Sequence, residues 1–111
     1  MNGDCGARRG DREWRETATE DPMDRMAFEA QLRRDGFGEI VTGELKANET
    51  RSVHAHDYEV RALVLDGGIA LTWDGEERHY KAGDIFTMAA GCAHAERAGA
   101  GGIRYLAGRR R

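Results

Sequence analysis

The sequence predicts an all-β fold, a single small barrel or sandwich approached through one short helix. From Phe37 onward, short apolar stretches alternate with Gly-bearing turns at regular spacing, and helical periodicity is absent. Pro is also missing from that region, so each expected strand keeps every backbone donor it needs for pairing. At 111 residues the chain has room for one core and one domain.

Residues 1–21 mix both charge signs with glycine around Trp14 and cannot bury enough surface to offset chain entropy; a disordered extension is expected. A short helix over 22–36 follows. Asp21-Pro22 supplies an N-cap and a first-turn proline, with Asp24 as an alternative cap. Met26, Ala30 and Arg33, together with Phe28 and Leu32, suit a helix with an apolar stripe, and Gly36 stops it. The barrel is expected over 37–107. Strands are read at Ile40–Leu45, Arg51–His56, Tyr58–Leu65, Ile69–Trp73, Arg78–Lys81, Ile85–Met88, Ala93–Arg97 and Ile103–Leu106. Asp74-Gly75 is a strong hairpin signal; Asp66-Gly67-Gly68, Ala82-Gly83-Asp84 and Ala90-Gly91 read as further turns, and Gly99–Gly102 as a loose loop. Residues 108–111 read as a frayed basic tail.

Chemistry concentrates in His54-Ala55-His56 and His94. Histidines at i and i+2 on a strand project from one face, and a third imidazole from a neighbouring strand would complete a set of neutral nitrogen donors. Such a set suits one divalent transition metal (Fe, Mn, Zn, Ni or Cu) with positions left open for a ligand. The remaining histidine, His79, sits in a polar hairpin arm and reads as a surface residue. Cys5 and Cys92 match no CxxC spacing, and a disulfide between them is not expected.

Two longer motifs surround these histidines. Asn48, His54, His56, Val60 and Gly67 follow the form G-x5-H-x-H-x3-4-E-x6-G; Gly83, Ala89, Gly91, His94 and Ala98 follow G-x5-P-x-G-x2-H-x3-N. In both the chain resembles the cupin superfamily, over roughly Phe37 to Leu106. The resemblance implies a small jelly-roll-like β-barrel with a metal held by His54, His56 and His94. Asn48, Ala89 and Ala98 depart from the pattern without chemical weight. Val60 stands where the family's metal-binding glutamate would be.

Glu59 comes one residue early for that role. With His54 and His56 facing inward, strand alternation turns Tyr58 and Val60 inward and sends Glu59 outward beside Arg61. A β-bulge would be needed to re-aim the Glu59 carboxylate. The expected centre is therefore three histidines without a carboxylate, which leaves the ion its full charge and favours an anionic or enolisable substrate. Tyr58, Val60 and Cys92 are the expected pocket residues; Trp73, Phe86 and Met88 read as barrel core.

The expected function is a metal-dependent small-molecule enzyme of dioxygenase, isomerase or lyase type, with no catalytic residue assigned. The alternative is a non-catalytic small-molecule-binding or sensor protein. A net charge of −3 gives no sign of nucleic-acid binding, and no apolar run reaches transmembrane or signal-peptide length. A cytoplasmic homodimer without membrane or nucleic-acid partners is the default expectation.

Overall fold

The computed structural model describes residues 25–111. The expected extension over 1–21, with Trp14 and Cys5, and the Asp21 and Asp24 caps lie outside the described residues. Helix α1 spans Arg25–Arg34. Gly36, at φ 90°, ends it: the Gly36 N–H donates to the Arg33 carbonyl (3.2 Å) and the Phe37 N–H to the Leu32 carbonyl (2.8 Å). This paired closure needs a left-handed residue just past the last turn, which glycine adopts without steric cost. Phe28 and Leu32 are fully buried, whereas Met26 points to solvent and is not part of the stripe.

Six strands follow: β1 (Glu39–Leu45), β2 (Thr50–His54), β3 (Glu59–Trp73), β4 (Glu76–Lys81), β5 (Ile85–Met88) and β6 (His94–Arg110). All pairings are antiparallel, and β3 and β6 form the spine. The first part of β3 pairs with β5 and with the last part of β6, which also holds β1. The second part of β3 pairs with β4 and with the first part of β6, which also holds β2. Two four-stranded half-sheets thus face each other, joined where β3 and β6 bend together.

That bend corrects the reading of Asp66-Gly67-Gly68 as a turn and of Gly99–Gly102 as a loop. Both segments stay in strand, with register shifts between Val64 and Asp66 and between Gly67 and Ile69. Glycine inside a long strand marks a bulge or a close backbone approach, and here it marks both. Gly67 and Gly102 have φ 79° and 77°, and a Cβ on Gly67 would collide with the Gly102 carbonyl oxygen. The Asp74-Gly75 hairpin forms as expected; both residues take positive φ (55° and 79°), as a two-residue hairpin turn requires.

Strand alternation divides the core. Ala62 and Val64 face the barrel interior with Leu45, Leu71, Trp73, Phe86, Met88 and Ile103. Leu63 faces the other way, into a second cluster with Phe28, Leu32, Phe37, Ile85 and Leu106 that seats α1 on the barrel. Each large side chain buried there stabilises the docking by about 1.5–3 kcal/mol. Gly108 makes room for it, since a Cβ would stand 2.9 Å from both Leu32 and Phe37.

The terminal arginines are not a frayed tail. β6 runs to Arg110, and Arg110 donates to the Asp35 carbonyl (2.6 Å) and to Glu59 Oε1 (2.7 Å from Nη2). Arg61 reaches Asp35 Oδ2 at 2.6 Å, and the Arg61 and Arg110 guanidiniums both lie over the Phe37 ring, at 4.6 and 4.3 Å. Glu59 and Arg61 therefore share the outward face, as alternation requires, but pair with Arg110 and with Asp35, just past α1, rather than with each other. No helix among the described residues is long and apolar enough to cross a membrane.

Candidate metal centre

His54 ends β2 and His94 opens β6, and the two are directly paired across strands. His56 lies just beyond β2; its carbonyl accepts the Gly91 N–H at 2.8 Å, which ties it to the turn before His94. The three rings converge, with centroids 4.4 Å apart for His54 and His94, 5.0 Å for His54 and His56, and 5.4 Å for His56 and His94. A fourth residue completes the group. Glu96 Oε2 lies 3.1 Å from His94 Nε2 and 3.3 Å from His54 Nε2, and one donor atom from each of the four lies within 4.8 Å of the others.

Sequence reasoning missed Glu96. Its signal was present: His94-Ala95-Glu96 repeats the i, i+2 spacing of His54-Ala55-His56, and β6 alternation turns both side chains inward. Where a carboxylate-free group was expected, the cluster that could hold a metal includes one. Glu59 is bound to Arg110 on the helix-covered face, while a carboxylate from β6 joins the imidazoles.

The hydrogen bonds define the tautomers. His54 Nδ1 is 2.7 Å from the Ser52 carbonyl and His94 Nδ1 is 3.0 Å from the Cys92 carbonyl. A carbonyl only accepts, so each Nδ1 carries the proton, and each Nε2 of a neutral ring presents a lone pair. Those lone pairs face the Glu96 carboxylate, itself an acceptor. Such an arrangement needs a cation in its midst, either a proton on an imidazole or a metal ion. A metal at 2.0–2.2 Å from each donor sets neighbouring donors about 3 Å apart, close to the spacing around Glu96. Imidazoles oriented by backbone carbonyls are also the usual support of a metal site. The donor set could hold a divalent transition ion.

Electrostatics agree with the geometry. Burial opposes a charge on His94, but the Glu96 hydrogen bond and the Cys92 carbonyl outweigh it and raise its pKa. Burial likewise works against the Glu96 carboxylate, yet the His94 hydrogen bond and the charges of His94, His54 and Arg51 hold its pKa down. His56 moves the other way. Burial, then the positive charges of His94 and His54, lower its pKa and keep its ring a neutral donor.

The four residues line a cavity of about 110 Å³ in the barrel interior. Tyr58 and Val60 line it, and Tyr58 stacks on His56 with centroids 4.8 Å apart and planes 13° from parallel. Cys92 does not. It is buried in the barrel core and is not a free thiol, so the expectations of an unbridged cysteine and of a thiol facing the pocket do not hold. His79 is exposed beside Glu77, away from the centre.

A sequence profile of the cupin domain matches residues 41–102, more than half of the chain. The chain belongs to the cupin family. No curated protein sequence matches this cupin. Among solved structures it is similar to an RmlC-like cupin from Shewanella frigidimarina (24% identity, TM-score 0.56, covering 65% of each chain). It is also similar to a cupin superfamily protein from Desulfitobacterium hafniense (18% identity, TM-score 0.53, 63% of this chain and 75% of that one). A third similar structure is a DMSP lyase from Ruegeria pomeroyi (22% identity, TM-score 0.60, 65% of this chain and 37% of that one). This cupin spans about two thirds of the Shewanella protein and little over a third of the lyase. At these identities the likeness is one of fold.

Proposed function

We propose that His54, His56, His94 and Glu96 hold one divalent transition metal, and that this cupin is a metal-dependent enzyme on a small molecule, of dioxygenase, isomerase or lyase type. The observation that carries this reading is the convergence of three tautomer-locked or neutral imidazoles and one part-buried carboxylate on the barrel cavity. The metal, when bound, supplies Lewis-acid polarisation or, for a redox-active ion, electron transfer.

The protein groups divide the remaining work. Glu96 cancels one unit of the ion's charge, which a purely histidine centre would leave intact. Ile69, Leu71, Phe86 and Met88 wall one side of the cavity with apolar surface, which strengthens the electrostatic contacts beside it. The Tyr58 and Tyr105 phenols also line it and are the candidates for moving a proton, a role the sequence reading left unassigned. Lyase chemistry has a precedent in the fold, since a DMSP lyase is among the similar structures.

The test is elemental analysis of protein purified without added metal, followed by aerobic and anaerobic turnover screens with the native metal restored. About one metal per chain, lost in His56→Ala and His94→Ala, supports the reading. Unchanged metal content in both variants overturns it, and a metal-loaded protein that binds small molecules without turning them over would be a binding module instead.

A further inference from the structure

The metal donors occupy part of the cavity lining, and two arginines occupy another. Tyr105, Ala107 and Arg109 alternate along β6, so strand geometry aims all three inward. Arg51 on β2 is the register partner of Glu96 and lines the same space. Burial and the Glu96 charge raise the Tyr105 pKa, the Arg51 and Arg109 charges oppose that rise, and all three side chains line the one cavity. Gly43 makes room for the phenol, because a Cβ there would collide with the Tyr105 ring and Oη.

These arginines are not consumed by structural ion pairs inside the barrel. Arg109 touches Glu39 at 3.3 Å, but Glu39 is more than half exposed and does not line the cavity, so that contact is weak. The Arg51 guanidinium makes no side-chain hydrogen bond or ion pair at contact distance among the described residues, and its charge acts on Glu96. Glu96 is the carboxylate in the lining, against Arg51 and Arg109. With neutral imidazoles the lining already carries a net positive charge, and a divalent ion would add to it. An anion entering so small a volume recovers its lost hydration from guanidinium hydrogen bonds; a cation has no such compensation.

We propose that the cavity takes a short-chain carboxylate, whose charged oxygens are held by Arg51 and Arg109 and whose adjacent hydroxyl or carbonyl oxygen faces the His54, His56, His94 and Glu96 donors. The size of the cavity limits the ligand to a few heavy atoms, and its apolar wall suits an aliphatic remainder. This assignment rests on the metal-centre reading for its second contact and names the substrate class of that centre.

The test uses the full chain, with metal content counted on each sample, titrated calorimetrically with glycolate and with uncharged glycolamide at fixed ionic strength. A metal alone would also prefer glycolate, so the arginine variants decide. Arg51→Gln and Arg109→Gln are each expected to weaken glycolate roughly tenfold while leaving glycolamide and metal content unchanged. Arg51→Lys should recover part of the loss, and Arg104→Gln, an exposed change outside the cavity, should do nothing. Absence of glycolate binding to the wild type, or affinities within about twofold of it in both glutamine variants, would overturn the assignment. Metal stoichiometry speaks separately. A metal-free wild type that still shows arginine-dependent glycolate binding would refute the metal reading and keep the anion subsite.

Discussion

Glu96 lies two residues beyond His94 on β6 and places Oε2 3.1 Å from that histidine's Nε2. The family pattern puts its carboxylate after the first pair of histidines, where this chain has Val60. In the proposed centre the carboxylate enters from the other motif instead. The strand carrying His94 thus supplies two donors, and the strand of Val60 supplies an apolar wall.

Glu96 and Glu59 should therefore respond oppositely to substitution. Glu96→Gln is expected to lower metal affinity by roughly 10- to 100-fold or more, because it removes a ligand charge. Glu59→Gln should leave affinity unchanged, since its carboxylate is engaged by Arg110 on the far face. Competition against a chromophoric chelator reads both. An equal loss in the two variants would show that Glu96 is no ligand.

His56 and His94 should separate metal binding from stability. Both alanine variants are expected to lose the metal. His56→Ala should melt near the wild-type temperature in the metal-free state, as its ring is less buried than that of His94. His94 is 1% exposed and carries the hydrogen bonds to Cys92 and Glu96, so His94→Ala should cost about 1–3 kcal/mol as well. Thermal melts in chelator would expose the error if the two variants behaved alike.

Acid stability should carry the mark of Asp35. The Arg61 hydrogen bond, with the positive charges of Arg61, Arg34 and Arg110, depresses the Asp35 pKa in the folded state despite some opposing burial. A depressed pKa means the stabilisation is present above the unfolded value of about 3.9 and is lost as pH falls through the folded value. Asp35→Asn should remove this segment of the pH–stability curve. At neutral pH the cost should be below about 1 kcal/mol, because the pair is partly solvated. Urea melts from pH 7 to 2 compare the curves, and parallel curves for the two proteins would disprove the link.

The bend of the spine offers a sharper contrast. Gly67→Ala puts a methyl group into the Gly102 carbonyl and should cost more than about 3 kcal/mol or prevent folding. Gly75→Ala, at the same φ of 79° but with nothing within 4 Å, should cost about 1 kcal/mol from backbone strain alone. Equal destabilisation of the two would mean that the close approach at the bend is not what glycine protects.

The local chemistry of this chain was legible in its sequence. Turn glycines, the Asp74-Gly75 hairpin, the Gly36 helix stop and the inward parity of His54, His56, Tyr58 and Val60 all depend on neighbours within a few residues, where φ preferences and strand alternation are decisive. So did the outward turn of Glu59. What depended on distant segments was not legible. Gly67 and Gly102 read as breaks because clustered glycines signal turns and loops; that they instead kink two paired strands together follows only once β3 and β6 are side by side. The terminal arginines read as a tail for the same reason, since their partners Asp35 and Glu59 lie more than fifty residues away in the chain. Glu96 sits between these cases. Its parity with His94 was written in the sequence, but an inward carboxylate becomes a candidate ligand only where another strand brings imidazoles to within 3.3 Å of it, and that proximity belongs to the tertiary structure.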